Sequence, residues 1–262
     1  MIVLDRQGGR PLCIGHRGAA AIAPENTLRS FRAALAAGVD LIEFDVLDLP
    51  GGPLVLAHSD HLEEVSHGAA QGRVRGLPLA ALREVAPELP TLDEALAFFA
   101  DEAQEVGLHV DLKLDARFDE LVAALERFGL APRTVVSAFH TSRLRAVARA
   151  SPRVRIGFTY PEDRFGVSRR RPLWPVVNAG LSALRASVPY RLHRLVRRAG
   201  ASAVMLQHRL VTPAAVARAH AIGVPVLAWT VDEPADVERV VAAGVDGVIT
   251  NDPSMVVAML SA

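Results

Sequence analysis

This 262-residue chain has a single cysteine and no formal net charge, and each of these facts excludes a class of protein. Cys13 is the only cysteine, so an intrachain disulfide and a zinc site built from several cysteines are both excluded. The 29 basic and 29 acidic residues balance, which gives no electrostatic reason to expect a nucleic-acid partner. The first ten residues contain no apolar run after a basic start, so we expect no secretory signal and a cytoplasmic location.

Hydrophobic residues, by contrast, are abundant enough for a folded core. They make up 50% of the chain and charged residues 22%, a balance that excludes intrinsic disorder. The length allows two domains of ordinary size, but a closed α/β barrel commonly takes about 250 residues as one unit.

Short apolar, β-branched runs alternate with longer segments of helical periodicity, which is typical of repeated βα units and a parallel sheet. Cap residues such as Thr27, Thr91 and Thr212 mark helix starts between the runs. Eight strands predict an α/β fold, a (β/α)8 TIM barrel forming a single domain over 1–262. The predicted strands are 11–15, 39–47, 107–114, 134–138, 154–160, 201–207, 224–231 and 245–250.

Two segments do not fit this repeat. The apolar run 53–58 follows the second strand too closely for a helical crossover, so we predict an antiparallel return strand that opens an insertion at about 49–90. Residues 162–199 are predicted as an irregular basic and apolar insertion, rich in arginine and lacking acidic residues from 164 onward. Within it, 172–198 indicates peripheral contact with a membrane surface; a helix packed on the barrel with solvated arginines is the alternative.

The carboxyl ends of barrel strands hold the reactive groups of enzymes with this fold, so polar side chains there are candidates. His16 and Arg17 follow the first strand between two glycines, which places a proton-transfer group beside a binder of phosphate or carboxylate. Glu43 and Asp45 share one face of the second strand because strand side chains alternate. Two buried carboxylates predict a bound cation or a shared proton, and two solvated carboxylates on an exposed strand are the alternative.

The third strand directs two more polar side chains, Asp111 and Lys113, into the same interior space. A third carboxylate completes an all-oxygen set suited to a hard divalent cation such as Mg²⁺ or Ca²⁺. Lys113 is the only lysine beside 28 arginines, which favours a functional ammonium here, with a simple partner of Asp111 as the alternative. His58 ends the return strand near these strand ends, so His16 and His58 form a candidate acid–base pair.

Seven segments follow one another in a recognisable order between about residues 12 and 255. They are GHRG at 15–18, PENT at 24–27, EFD at 43–45 with a histidine at 58, PTLDEAL at 90–96, DLK at 111–113, AWTVD at 228–232 and GVDGVITNDP at 244–253. Together they resemble the glycerophosphodiester phosphodiesterase family. The resemblance implies a metal-dependent phosphodiesterase on a (β/α)8 barrel, which splits a glycerophosphodiester into glycerol 3-phosphate and an alcohol.

Carried over residue by residue, the resemblance implies a role for each matching position. The implied roles are metal binding for Glu43 and Asp45, general acid and base catalysis for His16 and His58, phosphate binding for Arg17 with help from Lys113, and a place along the substrate's path for Trp229. The attacking group is either water or the neighbouring glycerol hydroxyl.

Three positions depart from the family pattern. Asp111 stands where the family usually has glutamate, and Ser59 and Asn251 stand where it usually has aspartate. Two alternatives to the predicted hydrolysis follow: a phospholipase-like activity on lysophospholipids or phospholipids, and a non-catalytic barrel that binds phosphate esters.

Overall fold

The computed structural model describes residues 1–162 and 174–261. Eight parallel strands close into a barrel with helices on its outside, which confirms the predicted TIM barrel. The sheet order is β1-β9-β8-β7-β6-β5-β4-β2-β3, and pairing between β1 and β2 closes the barrel. The strands are β1 (Leu12–Gly15), β2 (Leu41–Asp48), β3 (Leu54–Leu56), β4 (Gly107–Leu112), β5 (Thr134–Ala138), β6 (Arg155–Tyr160), β7 (Ala203–Gln207), β8 (Val226–Trp229) and β9 (Gly247–Thr250).

Helices connect the strands, and several begin at the predicted cap residues. The Thr27 side chain accepts a hydrogen bond from the Ser30 backbone, and Thr91 forms a capping box with Glu94. The α-helices of the described residues are α1 (Leu28–Ala37), α2 (Leu62–Val65), α3 (Leu79–Val85), α4 (Leu92–Asp101), α5 (Phe118–Arg127), α6 (Thr141–Ala150), α7 (Trp174–Ala199), α8 (Pro213–His220), α9 (Pro234–Ala242) and α10 (Pro253–Ser261).

The predicted return strand is confirmed as β3, which pairs antiparallel with the end of β2. The chain then forms α2, α3 and a short 3-10 helix before α4 begins. This insertion has a small apolar cluster of its own, which includes Val55, Leu62 and Leu82 and is separate from the main core. The cluster holds the insertion at the barrel end where β2 terminates, and this places His58 beside the ends of the first strands.

The prediction of an irregular segment over 162–199 is wrong for residues 174–199, which form the single long helix α7. The alternative, a helix packed on the barrel, is confirmed for these residues. The sequence misled because prolines interrupt it, but Pro175 lies in the first turn, where its missing N–H needs no partner. Farther along, Leu184, Val188 and Leu192 share one buried or half-buried face packed on the barrel. Arg164 and Arg169–Arg171, which the sequence assigns to the basic cluster, lie outside the described residues.

In the described part of the chain, no helix combines the length and the apolar character that crossing a membrane requires.

Phenylalanine packing fixes which face of β2 looks into the barrel. Phe44 packs against Phe31 and Phe99 outside the sheet, with ring centroids 5.7 and 5.4 Å away. Because side chains alternate along a strand, burying Phe44 among the helices forces Glu43 and Asp45 to the barrel interior. The core therefore orients both carboxylates.

Candidate functional site

A tight turn after β1 brings the backbone of Arg17 against Glu43. Gly15 has no room for a side chain, since a Cβ there would lie 2.2 Å from the Gly18 carbonyl oxygen. Gly18 itself adopts a φ of +88°, a conformation that favours glycine. With the turn closed in this way, the Arg17 backbone N–H donates to Glu43 Oε2 at 2.8 Å.

The strand register brings the carboxylates together at the barrel mouth. Asp45 on β2 is the register partner of Asp111 on β4, which is in turn the partner of Ser137 on β5. The Ser137 hydroxyl donates to Asp111 Oδ1 at 2.5 Å. Glu43, Asp45 and Asp111 are only 4%, 1% and 7% exposed, so the interpretation as solvated carboxylates on an exposed strand is wrong.

Two side-chain cations lie among these carboxylates. Lys113 Nζ is 2.5 Å from Asp111 Oδ2 and 3.1 Å from Asp45 Oδ1, so it joins β2 to β4. Arg17 Nε lies 3.1 Å from Asp45 Oδ2, and the same guanidinium contacts Glu25 at 2.7 Å. Burial alone would raise the pKa of Asp45, but Lys113 and Arg17 outweigh it and hold that pKa well below its ordinary value.

Glu43 is the carboxylate that these cations do not balance. Its polar neighbours are the Arg17 backbone N–H and, at 3.9 Å, His16 Nε2. Burial, together with the negative charges of Asp45 and Asp111, raises the pKa of Glu43 well above its ordinary value. This corner of the site therefore favours an additional positive charge or a proton.

The donor chemistry of the site fits a hard divalent cation. Glu43, Asp45 and Asp111 present only oxygen ligands, and the raised Glu43 pKa indicates a deficit of positive charge. Among the residues that the structure describes, no group of three or more His, Cys, Asp or Glu side chains is already arranged around an ion position. Lys113 Nζ lies in contact with both Asp45 and Asp111, so a cation that uses Asp111 requires this ammonium to move.

His16 is held in one orientation by a chain of two further side chains. Asn251 donates its amide Nδ2 to Asp232 Oδ2 at 2.7 Å, so the amide oxygen is left facing His16 Nδ1, also at 2.7 Å. Nδ1 must then carry the proton, which leaves Nε2 unprotonated and directed to Glu43. Burial and the nearby Arg17 guanidinium lower the pKa of His16 to about 4, so the imidazole is neutral at pH 7.

His58 has a different kind of partner. Its Nδ1 is 3.2 Å from Glu64 Oε2, an oxygen that also accepts from the Ser59 hydroxyl at 2.8 Å. His58 interacts electrostatically with both His16 and Asp45, so the structure brings the predicted histidine pair to one site.

Aromatic side chains border the site beside Lys113. The Phe139 ring lies 5.8 Å from Lys113 Nζ and packs edge-on against Trp229 at 5.9 Å. Trp229 donates its Nε1–H to the Met205 carbonyl oxygen at 2.9 Å, so the indole is fixed at the end of β8. Trp229 is thus connected to the carboxylate cluster only indirectly, through Phe139 and Lys113.

Sequence reasoning did not identify three residues that organise the site. Asn26 donates to Asp45 Oδ2 and accepts from the Asp45 backbone N–H, both at 3.0 Å. The left-handed backbone of Asn26, with a φ of +57°, sets this geometry. In the sequence, only its place in the PENT segment pointed to Asn26. Ser137 and Glu64 carried no sequence signal, because their contacts depend on register and on loop packing.

Residues 16–255 match the sequence profile of the Glycerophosphoryl diester phosphodiesterase family. A glycerophosphodiester phosphodiesterase from Caldanaerobacter subterraneus is 28% identical over 95% of this chain and 97% of its own length. A solved structure from Silicibacter pomeroyi that carries the family's name is 28% identical, with a TM-score of 0.78 over 98% of this chain and 95% of that chain.

A phosphodiesterase from Oleispira antarctica, solved in complex with the product sn-glycerol-3-phosphate, has a TM-score of 0.72 at 22% identity. The match covers 97% of this chain and 98% of that one, and at this identity it supports the barrel fold alone.

Proposed function

The chain belongs to the glycerophosphoryl diester phosphodiesterase family, and from this premise we propose that it hydrolyses glycerophosphodiesters to glycerol 3-phosphate and an alcohol. The observation that carries the proposal is the buried cluster of Glu43, Asp45 and Asp111 with Arg17 and Lys113. Carboxylates at this position suit a cation, and the two basic side chains suit the oxygens of a phosphodiester.

The different partners of the two histidines support different roles in this reaction. His16 is neutral with a free Nε2, so it acts as the general base that takes the proton of the attacking group, either water or the neighbouring glycerol hydroxyl. If the glycerol hydroxyl attacks, the first product is a cyclic phosphate, which water then opens to glycerol 3-phosphate. Glu64 accepts a hydrogen bond from His58 Nδ1, which leaves Nε2 to donate its proton, so His58 acts as the general acid toward the leaving alcohol. As the new P–O bond forms and the old one breaks, one proton enters His16 and another leaves His58.

We propose that Glu43, Asp45 and Asp111 bind a divalent cation, Mg²⁺ or Ca²⁺. When bound, such a cation supplies electrostatic stabilisation of the charge that develops on the phosphate oxygens. Arg17 and Lys113 add positive charge from the protein itself at the same oxygens. Before a cation binds, Asp45 is already ionised because Lys113 and Arg17 oppose the effect of its burial on the pKa.

A cavity of about 190 Å³ adjoins His58, between the loop after β1 and the insertion. Leu56, Val65 and Leu89 line one part of it, and Glu25 another. We propose that a small released alcohol leaves through this cavity, since His58 is the proposed proton donor to that alcohol.

The test is a substrate panel in which glycerophosphocholine, glycerophosphoethanolamine, lysophosphatidylcholine and phosphatidylcholine are offered with Mg²⁺ or Ca²⁺. We expect release of glycerol 3-phosphate from the first two, measured by an enzyme-coupled assay. Turnover confined to the lysolipid or the lipid would support the phospholipase-like alternative instead. Membership of the family already argues against a non-catalytic barrel, and turnover of none of the four would revive it.

The outer face of α7 supports a second proposal, that this helix contacts an anionic membrane surface. Tyr190 is 86% exposed, and Arg194 and Arg197 follow it at helical spacing on the same exposed face. An amphipathic aromatic ring with adjacent arginines is typical of helices that lie at a lipid headgroup layer.

Vesicle co-sedimentation tests this contact. We expect the protein to sediment with phosphatidylserine-containing vesicles more than with phosphatidylcholine vesicles, and the charge reversals Arg194→Glu and Arg197→Glu to remove the difference. Each arginine near such a surface contributes about 1 kcal/mol, so the double variant should lose roughly tenfold or more in binding. Equal sedimentation with both vesicle types refutes the contact.

A further inference from the structure

Glu64 is a carboxylate at the edge of the site that sequence reasoning did not assign. It lies on α2 in the insertion, six residues after His58, and its Oε2 is 3.2 Å from His58 Nδ1. The Ser59 hydroxyl donates to the same oxygen at 2.8 Å and accepts from the His61 backbone N–H at 3.1 Å. Ser59 therefore holds the Glu64 carboxylate in the position where His58 reaches it.

No other nearby carboxylate is placed to do this within the described residues. Asp60, the acidic residue closest to His58 in sequence, is bound by the Arg73 side chain at 2.5 Å and by the Arg75 backbone N–H at 2.7 Å. Both contacts hold Asp60 against the loop that carries the two arginines. Glu64 is thus the carboxylate with a hydrogen bond to the His58 ring.

Glu64 is ionised where it contacts the imidazole. Partial burial acts to raise the pKa of Glu64, but hydrogen bonds from Ser59 and His58 outweigh burial and hold that pKa below its ordinary value. Other charged or titratable groups near His58 are Asp45 and His16 from the barrel and Arg17 from the β1 turn. The cavity beside His58 is also lined by Glu25, Arg29, His67 and Glu88. Asp45 is itself compensated by Lys113 and Arg17, which leaves Glu64 as the carboxylate in direct contact with the ring.

We propose that Glu64 is the positioning residue for His58: its carboxylate fixes the ring with a proton on Nδ1 and with Nε2 free to face the leaving alcohol. The proposal rests on the proposed function, in which His58 is the general acid. In the reaction, the bond from phosphorus to the leaving oxygen breaks, and the Nε2 proton of the imidazolium moves to that oxygen. The neutral His58 ring then keeps its proton on Nδ1, where it is hydrogen-bonded to the Glu64 carboxylate. Glu64 stays ionised throughout.

Two substitutions separate the charge of Glu64 from its hydrogen bond. Glu64→Gln keeps an acceptor oxygen but removes the negative charge, and Glu64→Ala removes both. Glu63→Gln is the matched control, since Glu63 is the preceding residue on the same helix and its side chain is exposed. The protein used is the full chain with Mg²⁺ or Ca²⁺ present, and kcat and KM are measured for glycerophosphocholine from pH 5 to 10.

We expect Glu64→Ala to lower kcat by about 10- to 100-fold with little change in KM, which is the usual effect of removing the partner that orients a functional histidine. Glu64→Gln keeps an acceptor oxygen for the Nδ1 proton, so it should lose less kcat than Glu64→Ala. Glu63→Gln should match the wild type in kcat, KM and pH profile.

A readout without substrate separates this inference from the proposed function. Nitrogen-15 NMR of the histidine rings, with His58 assigned from a His58→Gln variant, reports which ring nitrogen carries the proton at high pH. We expect Nδ1–H in the wild type and in Glu63→Gln, and a shift toward Nε2–H in Glu64→Ala. Turnover of no diester by the wild type rejects the function, and the NMR result still decides Glu64. If the tautomer is unchanged in both Glu64 variants, or an active enzyme keeps its kcat in Glu64→Ala, Glu64 does not position His58.

Discussion

Replacing His16 with alanine is expected to lower kcat for glycerophosphodiester hydrolysis by about 10²- to 10⁴-fold, the range that a positioned general base contributes. The physical reason is that no other group in the described site offers an unprotonated nitrogen at this position. Asn251 and Asp232 hold the His16 proton on Nδ1, and burial with the nearby Arg17 lowers the pKa to about 4. The measurement is steady-state release of glycerol 3-phosphate at pH 7.5.

The direction of the pKa shift gives this prediction a pH dependence. A histidine whose pKa is lowered to about 4 keeps its base form throughout the neutral range and loses it only as the pH falls toward 4. The acidic limb of the wild-type kcat profile that belongs to this base should therefore lie well below pH 6.5, the ordinary value for histidine. An acidic limb near pH 6.5 would show that burial and Arg17 do not lower the pKa of His16 in the active enzyme.

The control for this substitution is His193→Ala, because His193 is exposed on α7. It should leave kcat unchanged, and both variants should keep the thermal unfolding midpoint of the wild type within a few degrees. Wild-type turnover by a folded His16→Ala protein would exclude His16 as the base and would leave the proposed reaction without its proton acceptor.

The part of the site that rests on strand geometry could be predicted from the sequence. Alternation along β2 and β4 places Glu43, Asp45 and Asp111 on interior faces, and parallel register then makes Asp45 and Asp111 neighbours. The barrel follows from the same reasoning, since eight runs with intervening helices have few other arrangements. These conclusions depend only on local periodicity and on the direction of the strands.

The part that rests on loops could not be predicted in the same way. Asn26 reaches Asp45 only because the turn before α1 takes a left-handed conformation, and Glu64 reaches His58 only because the insertion packs as it does. For 174–199 the sequence left a helix as one of two interpretations and did not decide, since proline inside a helical pattern normally ends the helix, and here α7 continues through Pro189. Burial of one apolar face on the barrel stabilises the helix beyond what local propensity indicates.

His16 and His58 lie at the same barrel mouth, but their Nδ1 atoms have different hydrogen-bond partners. The partner of His16 is a neutral amide, which fixes the tautomer without stabilising a positive charge. The partner of His58 is the carboxylate of Glu64, which accepts the hydrogen bond of Nδ1. The two rings therefore have chemically different partners, which supports the different roles proposed for them.

Removing divalent cations with a chelator is expected to lower kcat by about a hundredfold or more, and Mg²⁺ or Ca²⁺ should restore it, because the proposed cation supplies several kcal/mol of transition-state stabilisation. An independent readout comes from Glu43, whose pKa is raised by burial and by Asp45 and Asp111. A cation bound there stabilises the ionised form, so binding should release a proton and raise the thermal unfolding midpoint.

Glu43→Gln should abolish the cation-dependent rise in the midpoint along with turnover, whereas the exposed Glu63→Gln control should keep both. The glutamine removes the charge of the carboxylate that the protein leaves unbalanced, so a loss of cation response locates the ion at this corner of the barrel mouth. If turnover is complete in chelator and neither Mg²⁺ nor Ca²⁺ changes the thermal unfolding midpoint, Arg17 and Lys113 alone neutralise the phosphodiester. The raised pKa of Glu43 would then reflect a proton that the carboxylate keeps.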